Sequence, residues 1–234
     1  MAITVSVYDQ TTQLFMSGQV SLSNLRVELL NASAAFTHSH TKKNQVDNGS
    51  TATVTMSIAS PGVVTDTAHG FSAGQAVAFL TTGALPSGLT AGTFYYIVNP
   101  TTNTYQLALT AGGAAINTSG SQSGVHTRYS SGSYELYGNG WIPGGPTIAG
   151  VTVTAGNVDS GSYNNDAILS GTNPSVTATG GSLPPSPAYN AVLYDATTMN
   201  VLSFVSFGQA QQAGITTQFV FLLNSLGLFN LATP

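Results

Sequence analysis

Residues 186–208, SPAYNAVLYDATTMNVLSFVSFG, constrain the fold more than any other stretch of the chain. Residues 188–194 are apolar on both faces apart from Asn190. Such a run suits a strand with layers packed on each side. Asp195, Ala196, Thr197 and Thr198 follow as turn chemistry, because an Asp carboxylate bonds its own backbone and starts a reversal. Residues 201–207 then alternate. The spacing puts Val201, Ser203, Val205 and Phe207 on one face, and Leu202, Phe204 and Ser206 on the other. The result is a long buried hairpin whose expected core includes Val192, Tyr194, Val205 and Phe207, with Phe219 and Phe221 from the C-terminal part.

The rest of the chain either pairs with this hairpin or interrupts its domain. Residues 1–9 and 24–30 read as strands, and 18–22 as a weaker one. Residues 31–48 are polar and without a clear period, which predicts a loop. From residue 50 to 127 there is one charged side chain, Asp66. Short strand candidates recur there at 53–58, 62–66, 75–80, 93–98 and 104–109, with Gly and Pro turns between them. That spacing indicates a small barrel or sandwich. After 127 come a strand candidate at 134–137, a Gly- and Pro-rich loop at 138–150 around the single Trp, an alternating strand at 150–155 and a second at 175–180. Residues 217–231 add two apolar segments divided by Asn224 and Ser225. No segment sustains a helical period, and Thr, Val, Ser and Gly dominate over helix formers. The sequence predicts an all-β fold. Residues 1–50 and 128–234 form a discontinuous host domain, a β-sandwich of jelly-roll type, and 51–127 form an inserted small β-domain.

Charge narrows the function. Charged residues are 5% of the 234, against roughly 25% in an ordinary soluble domain. Little repulsion is left to keep a monomer dispersed, so the composition suits a component of an assembly. Arg26, Lys42, Lys43 and Arg128 are the only basic side chains apart from histidine, and no basic footprint for nucleic acid exists. Without cysteine there is no disulfide, thiolate nucleophile or Cys-based zinc site. No apolar run approaches a membrane span, and the first residues lack a basic region followed by an apolar one. The sequence therefore predicts neither membrane insertion nor a standard signal peptide.

The run VVTDTAHGFSAGQAVAFLTTGALPSGLTAGTFYYIVNPTTNTYQLALT resembles a small β-module of tailed-bacteriophage structural proteins. The resemblance lies in the His69-Gly70-Phe71 turn, Gly74, Val77 and Phe79, the Leu85-Pro86 turn with Gly88, and the strands at 94–96 and 105–107. The flanking blocks NLRVELL, YELYGNGWIPGGPTIAGVTVT and AYNAVLYDATTMNVLSFVSFG resemble successive blocks of phage capsid decoration (cement) proteins. The first two blocks are far apart here, which an inserted module explains, since exposed loops accept insertions. The resemblance implies a non-enzymatic virion protein on the capsid surface, made in the host bacterial cytoplasm. It implies the major capsid protein as partner, a homotrimer, and no cofactor. A tail fibre or adhesin binding host-surface glycans is the alternative.

Candidate chemistry is sparse. His38 and His40 are spaced for one face of a strand, as a metal pair needs. No carboxylate lies nearer in sequence than Asp47, and a polar loop with two exposed histidines is the stronger reading. Asp66, His69 and Ser72 suggest a relay, but nothing supplies an oxyanion hole, and the His69-Gly70 pair reads as a turn. Asp159 and Asp166 are the carboxylates closest in sequence and stand in a polar stretch, without the aromatic platforms or solenoid repeats that accompany glycan-cleaving spikes. No catalytic residue is assigned. Trp141 is a candidate interface anchor or an equally good buried plug. Lys42 and Lys43 read as solvated loop charges, with contact to an acidic capsid surface as the sharper alternative.

Overall fold

The computed structural model describes residues 3–156, 166–222 and 229–231. The chain divides into two compact units. One consists of Met1–Val46 with Tyr134–Pro234, and the other of Asp47–Ser133. Both are built of β-structure, and the fold is all-β.

The first unit centres on a four-stranded antiparallel sheet. Its strands are β1 (Thr4–Val7), β2 (Leu25–Leu30), β12 (Leu183–Asp195) and β13 (Asn200–Ala213), in the order β1-β13-β12-β2. The intervening labels run β3 (Thr51–Met56), β4 (Val64–Thr65), β5 (Ala76–Thr81), β6 (Phe94–Val98), β7 (Thr104–Ala108), β8 (His126–Ser130), β9 (Thr152–Gly156), β10 (Asp166–Ser170) and β11 (Ser175–Thr177). Strands β14 (Gln218–Val220) and β15 (Phe229–Leu231) close the order. The long hairpin β12-β13 is the middle of the sheet. Its turn forms as turn chemistry requires: Asp195 Oδ1 accepts the Thr197 N–H at 2.8 Å, and its Oδ2 takes Ser21 N–H at 2.9 Å.

Face assignment departs from strict alternation where the β12-β13 register shifts, and the shift nearest the turn is a bulge. Leu193 pairs with Ser203 but Tyr194 pairs with Val201, so Leu202 is an extra, bulged residue. The bulge turns Leu202 to the Leu193 side, where both pack with Leu25, Ile148 and Leu169. Val201 moves to the Tyr194 side. Further along the Leu193 face Val27, Leu29 and Ala191 pack with Phe207, Phe219, Phe221 and Trp141. Leu169 belongs to the small sheet β15-β10-β9, and Phe219 to the pair β11-β14. One face of the main sheet is thus covered by two smaller sheets. On the opposite face Phe36 packs against Tyr8 and Phe204. Val192 and Tyr194 are fully buried, Phe207, Phe219 and Phe221 are buried, and Val205 is half-buried against them.

Several local expectations change. Residues 18–22 are not a strand. They follow a short helix, α1 (Thr11–Met16), whose end is marked by Gly18 at φ 67°. Thr11 is anchored through its hydroxyl to the Leu202 carbonyl at 2.7 Å. The loop at 31–48 contains α2 (Lys43–Val46). Gln45 Oε1 caps its start by accepting the N–H groups of Thr41 at 2.7 Å and Lys42 at 2.9 Å. The candidate strand at 134–137 makes only isolated pairing beside β2, through Asn31 N–H to Tyr134 O and Leu136 N–H to Leu29 O, both 2.9 Å.

The second unit is a closed barrel, β3-β4-β7-β6-β5-β8. Pairs of alternating residues fill it: Val54 and Met56, Val77 and Phe79, Tyr95 and Ile97, Tyr105 and Leu107. Closure depends on β8, which pairs with both β3 and β5. The expected module boundary at 127 falls inside this strand. Its alternating buried positions are His126, Arg128 and Ser130, so it has no apolar stripe to advertise it.

Candidate functional site

The placement of charge is the most informative property of the molecule. Ten charged side chains lie among the described residues whose burial is assigned. Glu28, Lys43, Asp47, Asp66, Arg128, Glu135 and Asp195 are buried, Arg26 and Lys42 are half-buried, and Asp9 alone is exposed. The few charges the chain has are mostly spent inside it.

In the barrel unit, Arg128 organises the interior. Its Nε donates to Asp66 Oδ2 at 2.9 Å, and its Nη1 donates to Ser50 O at 2.9 Å and Ser50 Oγ at 2.7 Å. The guanidinium lies over the Phe71 ring at 4.7 Å. Tyr105 donates its hydroxyl to the same Asp66 oxygen at 3.3 Å. Burial, reinforced by the Asp66 charge and opposed by Arg128, pushes the Tyr105 phenol far above its ordinary range. His69 stacks on Phe71, and its Nδ1 accepts the Phe71 N–H at 2.9 Å. Asp66 thus serves Arg128 and Tyr105, and His69 closes its own turn. Their hydrogen bonds build turn and interior, and assemble no relay with Ser72.

The histidine pair is not on a strand. His38 and His40 stand in turns, and neither belongs to a cluster of three metal-ligating side chains among the described residues. The carboxylate near His38 is Asp9, 3.5 Å from its Nδ1, and sequence distance gave no hint of it. Asp159 lies outside the described residues, as does the Asp166 side chain.

The lysines correct the solvated reading. Lys43 is 1% exposed, and its Nζ lies 3.1 Å from Glu28 Oε2 and 3.3 Å from Glu135 Oε2. Lys42 is half-buried and donates to the Thr198 carbonyl at 2.7 Å, and this burial pulls its ammonium below the ordinary lysine range, against the raising effect of Asp195. A contact from Lys43 to an outside partner is therefore excluded by its burial.

Trp141 is a plug. It is 1% exposed and meets Phe219 edge-on, with ring centroids 5.6 Å apart. The preceding Asn139-Gly140 pair, at φ 51° and 110°, makes the tight reversal that tucks it in, with Gly138 and Trp141 exchanging backbone hydrogen bonds. The loop then presses on β2. A Cβ on Gly145 would stand 1.7 Å from Val27 O, so only glycine fits there.

The surface feature that sequence reasoning missed is a cleft of about 570 Å³ beside the outer half of β13. Ile3, Phe207, Gln211, Thr217, Val220 and Leu222 are among its lining residues, and none of the described lining side chains is charged. Ile3 and Leu222 are 66% and 75% exposed. Ile3, which lines the cleft, leads into β1, an edge strand paired only with β13 among the described strands, and β1 exposes Val5 as well. An open strand edge beside exposed apolar side chains offers backbone hydrogen bonds and apolar area together. No protein-family model matches the chain, and no curated protein or solved structure shows significant similarity to it.

Proposed function

We propose that the chain is a non-enzymatic virion structural protein that decorates a phage capsid and stabilises it as a homotrimer. The observation that carries this reading is the near absence of charge from the described surface, where Asp9 is, histidines aside, the single exposed ionic side chain. A protein that works free in solution relies on surface charge to stay dispersed. A chain that has turned its charges inward instead presents hydroxyl, amide and apolar groups, which suit permanent contact. The cleft, without charge in its described lining, and the edge of β1 left unpaired among the described strands supply such a contact on the sheet unit. The resemblance of the flanking blocks to capsid decoration proteins, together with three-fold sites on a capsid lattice, favours a trimer on the major capsid protein.

Cryo-electron microscopy of the intact particle tests this directly. The expected result is density for the chain at three-fold positions of the head. Density on the tail would move the reading to a fibre or adhesin that binds host-surface glycans. Absence from purified particles would end the virion reading.

A further inference from the structure

The buried ions of the sheet unit are arranged for more than a salt bridge. Lys43 Nζ stands between two carboxylates, 3.1 Å from Glu28 Oε2 and 3.3 Å from Glu135 Oε2. The three side chains come from α2, from β2 and from the segment beside β2, and all are buried. The Tyr194 ring lies 5.9 Å from the ammonium and closes the site with a fully buried aromatic face. Glu135 is held in place: its Oε1 accepts the Gly144 N–H, and the Gly144 carbonyl in turn accepts the Tyr194 hydroxyl at 2.7 Å. Its other oxygen is thereby aimed at Lys43.

Removing an ammonium and a carboxylate from water carries a large desolvation cost. Moving one proton from nitrogen to oxygen gives a neutral amine and a neutral acid and relieves it. That neutral pair is also the reactive one. The amine lone pair is then held within reach of a carboxyl carbon, in a site where no bulk water competes, and enforced proximity replaces a bimolecular encounter.

We infer that Lys43 and Glu28 condense into an intramolecular isopeptide bond, with Glu135 carrying the proton. The ammonium gives one proton to the Glu28 carboxylate. The Lys43 nitrogen attacks the Glu28 Cδ, forming the C–N bond and a tetrahedral centre. The Glu135 carboxylate takes a proton from the nitrogen and returns it to the departing hydroxyl. The C–O bond breaks and one water leaves. Ammonium and carboxylate become amide and water, Glu135 ends as it began, and no oxidant, cofactor or activated donor is needed. Glu28 is the acyl partner because it is the nearer carboxylate and sits on a strand paired along its length with β12. Glu135 is the carrier because its far oxygen is already pinned by backbone. The product is a covalent clasp between β2 and α2.

The intact mass of the full chain, measured under denaturing conditions, tests it. The expected mass is one water below that of the sequence. Trypsin cuts after Arg26, Lys42 and Arg128, and an amide on Lys43 blocks cleavage there. The digest is expected to yield fragment 43–128 joined to fragment 27–42. Lys43→Arg is expected to show the full sequence mass. So is Glu135→Gln, which keeps the Lys43–Glu28 pair but lacks the carrier, with a wild-type circular dichroism spectrum. A wild-type chain of full mass overturns the inference. So does a lost water with Lys43 still open to trypsin, or a link to fragment 129–234, which would make Glu135 the acyl partner. Should either variant fail to fold, the wild-type mass and digest decide alone.

Discussion

Arg128 reaches Asp66 and both the carbonyl and hydroxyl of Ser50 from one planar group while lying on Phe71. A lysine has a single ammonium and cannot reproduce that fork or stack. Arg128→Ala would leave the Asp66 carboxylate buried without its cation, at a cost of about 3–5 kcal/mol. Urea unfolding of the barrel unit should show that loss, and Arg128→Lys should recover only part of it. An unchanged midpoint for Arg128→Ala would show that water replaces the guanidinium. Tyrosines give a second residue-scale test. Burial raises the phenols of Tyr8, Tyr105 and Tyr194 above their ordinary range, with the charges of Glu28 and Asp66 adding to the effect. A raised folded value means the neutral form is favoured in the native state. The stabilisation is therefore complete below the ordinary tyrosine value of about 10 and is lost as pH rises above it. Phenolate absorbance on alkaline titration should leave these three silent until the chain unfolds. Their titration in the native state would contradict the burial.

At the scale of elements, the hairpin β12-β13 carries the sheet unit, and Phe207 is its test residue. It is 7% exposed, meets Phe221 with ring centroids 6.1 Å apart, and belongs to the cluster that joins the main sheet to β11-β14. Phe207→Ala should cost about 3–5 kcal/mol, read as a lower denaturation midpoint. Strand β8 supplies the matching test in the barrel. Residues 47–133 expressed alone should unfold cooperatively, because closure through β8 is complete. Residues 47–127 should not, because they cut β8 after two residues and discard Arg128. The same elements show where sequence was legible. Strands such as β2, β5 and β6 were readable because one or both faces are apolar and period two is a local property. The bulge at Leu202 was not, because an extra residue depends on the partner strand's register. Strand β8 was missed because its inward residues are polar, and their partners come from elsewhere in the barrel. Helix α2 is too short for a period, and Gln45 fixes it by hydrogen bonds rather than by an apolar stripe. Counting charges revealed their scarcity, but their partners lie tens of residues away, so neither the burial of Lys43 nor its role followed from its neighbours in the chain.

For the whole molecule, the inward placement of charge has a consequence for any contact it makes. Ion pairs between exposed groups weaken as salt shortens the screening length, and Asp9 is, histidines aside, the one exposed ionic side chain among those described. Contacts must rest on apolar area and neutral hydrogen bonds. Apolar burial contributes roughly 25 cal/mol per Å² before the costs of association, and kosmotropic salt strengthens rather than weakens it. The cleft beside β13, with Ile3, Val220 and Leu222 at its rim, is the surface that this arithmetic selects. Ile3→Asp and Leu222→Asp would place charge where the proposed contact is apolar. Each should weaken attachment of the chain to particles by tenfold or more, about 1.4 kcal/mol, while leaving its unfolding midpoint nearly unchanged, since both side chains are exposed. Attachment of the wild-type chain should persist when particles are washed in rising sodium chloride, and washed particles should keep their heat resistance. Release at modest salt would show that the contact is ionic, and would move it away from this cleft. Equal heat resistance of particles with and without the chain would remove the stabilising role and leave a surface protein whose uncharged face serves recognition instead.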